Sequence, residues 1–357
     1  MERKKVYKIL TIILIMQWAF IQIIAQHPTI VEKYYANGVY IFISNLLRLI
    51  FGWIPISFGD ILYTIIGIII LKGLIKTLKN RQLNIKSTLF KTGAIVSVLF
   101  FFFHLNWGLN YFRQPLFESL NLKKNTYTSN ELVDFTKILI LKINNVQVSI
   151  TKNDTLVVEN SLNKKEIKAI SPAAYKELEL KYPQFKLNNS SLKHSLFSVP
   201  LTYMGFAGYL NPITNEAQVN SLIPKNNYPA TTCHEIAHQV GIASESEANF
   251  VGYLAAIHSK DTYFNYSGYL LALRYCLSEI YRTNPEEFEN LLTNLNKGIL
   301  KDMQQSQDFW QSYQNWSEKY FKLFYDSFLK ANKQKDGIQG YNKMVSLLIN
   351  YYKLETL

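Results

Sequence analysis

Apolar positions along the chain fall into two regimes. Up to about residue 110 they come in long runs; beyond it they recur among polar residues at helical and strand spacing. The first run, residues 6–25 (VYKILTIILIMQWAFIQIIA), is long enough to cross the hydrocarbon core of a bilayer as a helix. Residues 59–75, with the core DILYTIIGIIILKGLI, and residues 92–110, with AIVSVLFFFFHLNWGL, predict a second and a third span. Residues 40–56 (YIFISNLLRLIFGWIPI) offer a fourth span, which would put the C-terminal domain in the cytoplasm, but Arg48 near their middle is costly in hydrocarbon. Their Leu46, Leu47, Ile50 and Trp53 suit an interfacial or re-entrant helix.

After residue 110 the pattern changes. Pro115 ends an exit segment, and residues 130–143 have helical spacing, whereas 146–158 are richer in β-branched residues. Residues 195–223 have strand chemistry punctuated by Gly205, Gly208, Asn211-Pro212 and Asn215. From Pro229 the chain predicts helices at 231–240, 245–259, 266–282, 285–303, 307–331 and 339–353. The expectation is an α+β, mainly α fold: a transmembrane region over 1–110, then a domain over 111–357 with a small β element and a helical C-terminal part.

Charge then orients the membrane region. The net charge of +12 might point to nucleic acid, but much of the excess sits at Arg3, Lys4, Lys5, Lys8 and between Lys72 and Lys91, beside apolar runs. Basic residues there act as topology signals, so no nucleic-acid partner is expected, and the lipid bilayer is. A cleaved signal peptide is disfavoured because Ile-Ile-Ala-Gln is a poor cleavage site. Three crossings starting inside predict a multi-pass inner-membrane protein whose C-terminal domain is extracytoplasmic. His104, beside Asn106 and Trp107, reads as an interfacial side chain. Two cysteines, Cys233 and Cys276, exclude a disulfide framework and read as buried thiols.

The chemistry lies in His234-Glu235-Ile236-Ala237-His238. On a helix, residues four apart share a face, so His234 and His238 can offer two imidazoles to one tetrahedral zinc ion. Glu235 lies beside them as the general base that would activate a zinc-bound water, giving a zinc metallopeptidase with one Zn2+ per chain. A catalytic zinc takes three protein ligands, and Gly241 can turn the chain back toward Glu245 and Glu247. Ser244 and Glu247 have capping-box spacing, which occupies Glu247 and leaves Glu245 as the third metal ligand. Asn249 is a candidate for orienting a ligand.

Glu245, Ala248 and Asn249 make an E-x-x-A-N pattern. It resembles the helix that supplies the third, glutamate ligand in gluzincin-type peptidases, among them CAAX-processing, heat-shock and antirepressor-cleaving peptidases. The gap from His238 to Glu245 is short, closer to metzincin spacing, with Ser244 where a third histidine would stand. Trp107-Gly108-Leu109-Asn110-Tyr111 with Arg113 and Pro115, and HEIAHQVGIASESEANFVGYLA from His234 to Ala255, resemble an uncharacterised family of bacterial multi-pass membrane proteins, domain of unknown function 3810. The resemblance implies a zincin-like metallopeptidase domain acting on a peptide or protein substrate. Residues 216–223 are a candidate edge strand for an extended substrate or an ordinary core strand. Tyr209, Tyr253 and Tyr341 are candidate transition-state donors. Two other functions fit the same pattern: a membrane signal transducer with a regulatory zincin domain, and a non-catalytic envelope assembly protein with a structural zinc site.

Overall fold

The apolar runs become helices. The computed structural model describes residues 2–79, 84–122, 126–332 and 341–355. It divides into a unit comprising Met1–Gln114 with Asn211–Glu216, and a second comprising Pro115–Leu210 with Ala217–Leu357. The first holds α1 (Glu2–Ile24), α2 (Pro28–Ile30), a π-helical stretch Val31–Val39, α3 (Tyr40–Phe51), α4 (Phe58–Lys79) and α5 (Ile85–Asn106). Within them Arg3–Ile24, Phe58–Lys76 and Ile85–Asn106 are long and apolar enough to cross a membrane. Their exposed side chains include Ile12, Phe20, Ile69, Leu71 and Phe101, as expected of helices apolar on every face. The third such helix starts earlier than residue 92 and stops at Asn106, where Trp107 leaves helical geometry and the chain tightens into a 3-10 turn, Gly108–Phe112. Part of the basic connection between α4 and α5, residues 80–83, lies outside the described residues.

α1 and α5 pack side by side. Thr11 Oγ1 donates to the Phe90 carbonyl at 3.1 Å, and the Thr11 side chain fills the space a Cβ would need at Gly93. Arg48, on α3, is buried with its charge placed on polar partners: it donates to Asn215 Oδ1, and to Asn45 Oδ1 at 2.8 Å. Asn215 in turn donates to the Tyr40 hydroxyl at 3.2 Å. The Glu216 carboxylate accepts from the backbone N–H groups of Phe58 and Gly59, at 3.3 and 2.6 Å, at the start of α4, where a helix favours negative charge. A guanidinium held this way presents no bare charge to lipid.

The second unit is mainly helical: α6 (Leu116–Ser119), α7 (Ser129–Thr151), α8 (Lys164–Lys181), α9 (Ser198–Tyr203), α10 (Tyr228–Gln239), α11 (Glu245–His258), α12 (Thr262–Thr283), α13 (Pro285–Leu292), α14 (Lys297–Ser312), α15 (Glu318–Ala331) and α16 (Tyr341–Tyr352). Capping boxes open α7 at Thr128 and Glu131 and α8 at Asn163 and Glu166. α7 continues through the β-branched tract to Thr151, because Ile143 and Gln147 are buried on its inner face and packing overrides propensity. The helix expected over 285–303 breaks before Asn296, whose side chain donates to Gln147 Oε1 at 2.9 Å and so ties the turn to α7. α11 is the central helix: Phe250, Val251, Tyr253, Leu254 and Ala255 are fully buried, and it packs on α8, α10, α12 and α16.

One small sheet accompanies the helices, with β1 (Leu192–His194), β2 (Gly208–Leu210) and β3 (Ala217–Val219) in the order β1-β3-β2. β3 pairs parallel with β1 and antiparallel with β2. Of the segment 216–223 only Ala217–Val219 is strand, and it is the buried central one, with β2 at an edge. A strand of three residues carries too little pattern to reveal its neighbours.

Candidate metal centre

Pro229 stands in the first turn of α10, where its missing N–H is no loss. The helix ends at Gly241, which takes φ 89°, with Ile242 N–H bonded back to the Ala237 carbonyl at 3.1 Å. That reversal turns the Ile242 carbonyl onto His238, whose Nδ1–H donates to it at 2.7 Å. The bond fixes the tautomer and leaves the Nε2 lone pair of His238 facing His234 Nε2 at 3.1 Å.

The same reversal carries the chain into α11, whose first residue is Glu245. Its Oε2 lies 3.3 Å from His234 Nε2 and its Oε1 3.7 Å from His238 Nε2. One ligand atom from each of His234, His238 and Glu245 falls within 4.8 Å of the others. Two imidazole nitrogens with a carboxylate beside them are mutually satisfied only around a shared positive charge. Burial lowers the basicity of His238, and the charge of Glu245 more than reverses this, carrying its pKa up to about 9. Burial alone would raise the Glu245 carboxyl, but His238 and the bonds from both histidines hold it well below the usual carboxylate range. His234 Nδ1 is buried with no hydrogen-bond partner among the described residues. This donor set, two neutral nitrogens and one carboxylate, fits a zinc ion.

Glu235 is buried, and its Oε2 has no hydrogen-bond partner among the described residues. Burial pushes its carboxyl up to about 7, against the opposing pull of His234 and His238. A carboxyl in that range exchanges protons near neutral pH.

The capping box expected at Ser244 and Glu247 does not form. Ser244 makes no side-chain cap on α11. Glu247 instead accepts from the Leu116 backbone N–H at 3.1 Å and pairs with Lys343 at 3.0 Å. It is occupied, but by a contact across the unit rather than by the local box. Asn249 donates to the Tyr275 hydroxyl at 2.7 Å. Tyr253 is buried with its hydroxyl against that of Tyr352, Tyr209 lies on β2 opposite Gln218, and the side chain of Tyr341 lies outside the described residues. The tyrosine that does reach the cluster is Tyr325 of α15, whose hydroxyl donates to Glu245 Oε1 at 2.6 Å. Eighty residues separate the two in sequence, and among 24 tyrosines nothing local singles it out.

Two glycines make the arrangement possible. A Cβ at Gly252 would collide with the backbone of His234, so α11 crosses α10 at the metal site itself. A Cβ at Gly208 of β2 would meet the Glu235 carboxylate and the Gln218 carbonyl. For the zinc peptidase expected from the sequence, Gly208→Val should lower hydrolysis by about 10²-fold through displacement of Glu235 while zinc content stays at wild-type level. Unchanged turnover would show that β2 does not border the reacting groups.

No curated protein and no solved structure matches the chain significantly. A family model does match, over residues 35–349. The chain accordingly belongs to the family described as protein of unknown function, DUF3810.

Proposed function

We propose that this protein is a membrane-anchored zinc metallopeptidase that hydrolyses peptide bonds. The observation that carries the reading is the convergence of His234, His238 and Glu245 beside the buried Glu235 carboxylate, whose Oε2 has no hydrogen-bond partner among the described residues. Three donors, rather than the four of a purely structural zinc site, gather among the described residues. Zinc held by them would supply Lewis acidity, polarising a carbonyl and lowering the pKa of water to about 7.

The chain's own groups account for the rest. The Ile242 carbonyl and the Tyr325 hydroxyl orient His238 and Glu245. Glu235, its basicity raised by burial, takes the proton of the attacking water and passes it to the departing amine. On β2 the bonds Asn211 N–H to Glu216 O and Asn220 N–H to Ala207 O leave the backbone of Gly208 and Leu210 directed away from β3. An extended peptide pairing with that edge would pass beside Glu235, over the one position in β2 with no side chain to obstruct it.

The finer localisation belongs to the same proposal: an inner-membrane protein with the catalytic domain on the extracytoplasmic side. Its supports are the basic N-terminus, the basic connection after α4 and the three helices able to cross a membrane. The contact of Glu216 with the first turn of α4, at the end opposite that basic connection, agrees. Metal removal tests the function. Chelation of the detergent-solubilised protein is expected to abolish cleavage of a mixed peptide library, and zinc, not magnesium, to restore it. Cleavage that continues after the zinc is gone would refute the reading.

A further inference from the structure

α15 has two faces of different use. Tyr325, Phe328 and Leu329 turn inward, with Leu329 buried and Tyr325 on Glu245. One turn apart on the opposite side, Tyr320, Leu323 and Phe324 are exposed, Phe324 to 74%. Trp316, 82% exposed, continues the stripe, its ring 6.1 Å from that of Tyr320. The patch extends onto α9, where Val199 and Tyr203 are exposed on one face. Tyr203 is joined to it by the Tyr313 ring at 5.2 Å, and its carbonyl accepts from Asn315 at 2.7 Å. Ile138, Leu141 and Val148 make a shorter exposed run on α7 that holds no aromatic residue, and Leu180 and Leu156 lie on other segments.

We infer that Val199, Tyr203, Trp316, Tyr320, Leu323 and Phe324 form a membrane-interface surface that seats this unit on the bilayer. A contiguous exposed apolar patch on a soluble surface calls for an occupant. Trp and Tyr with Phe and Leu on one side, and lysines flanking them, are the composition of a helix lying in the interface plane. Lys319, Lys322 and Lys330 are those lysines, the last two paired on the helix surface with Glu318 and Asp326, which leaves their heads at the polar level and their stems along the stripe. The same chain carries three helices able to cross a membrane, so a bilayer is tethered to every copy at high effective concentration. With most lysine charge internally balanced, apolar area dominates the attachment, and salt should weaken it little. The surface belongs to the helix that places Tyr325 on Glu245, so the bilayer would steady one wall of the metal centre and favour substrates presented at the membrane surface.

The inference rests on α4 being a span, and the test separates the two. Full-length protein in nanodiscs is labelled with bimane at a single introduced cysteine; native Cys233 and Cys276 are buried. Labels at Phe324→Cys and Val199→Cys are expected to be quenched by doxyl lipids about twofold or more beyond one at Leu180→Cys, in zwitterionic and anionic discs and at high salt. A label at Ile69→Cys, on α4, reports the span. Quenching at Ile69 without quenching at Phe324 and Val199 would overturn the interface surface alone, and no quenching at Ile69 would overturn both. Shielding of Phe324 from aqueous iodide without lipid quenching would assign the patch to a protein partner and overturn the bilayer.

Discussion

Glu235→Gln is expected to lower peptide hydrolysis by about 10²- to 10⁴-fold while leaving the protein folded and its zinc bound. The size follows from what the amide removes. Glutamine keeps the volume and can still hydrogen-bond, but it cannot take a proton from water or deliver one to the leaving amine. Retention of zinc follows from geometry, because Glu235 is not one of the three groups that converge. The change also removes a buried carboxyl with an unpartnered oxygen, so no loss of stability is expected. A structural zinc site, or one that only senses a ligand, would leave the biological activity of Glu235→Gln intact. Turnover within about twofold of wild type would exclude a general-base role.

His238→Ala is expected to have the second large effect, through the metal. It removes one of three metal donors together with the N–H that the Ile242 carbonyl accepts, so zinc should fall from one per chain to a small fraction of that, with hydrolysis lost in parallel. The loss should be accompanied by a lower melting temperature in the presence of zinc, since a ligand that binds only the folded chain stabilises it by mass action. Without zinc, the two proteins should melt closer together. Wild-type zinc content in His238→Ala would show that the ion is held elsewhere.

How much of this was legible in the sequence follows physical range. His234, Glu235 and His238 belong to one helix, and their spacing alone places them on one face. The apolar helices announce themselves by length, since no periodicity has to be resolved. Glu245 was selected by a local capping argument that the structure does not bear out; the group that pairs with Glu247 is Lys343, nearly a hundred residues away. Tyr325 and the placing of β3 between β1 and β2 are likewise long-range facts, set by packing rather than by neighbouring residues. The extension of α7 into a β-branched tract shows propensity yielding to burial. Gly208 was read as turn punctuation, and its lack of a Cβ instead leaves room for Glu235.

The most direct test of the central claim is zinc content and peptide-library cleavage measured together on the detergent-purified full-length protein, wild type beside Glu235→Gln. The account predicts one zinc per chain in both and cleavage in the wild type alone. A wild-type protein that binds no zinc, or cleavage equal in the two, would contradict it.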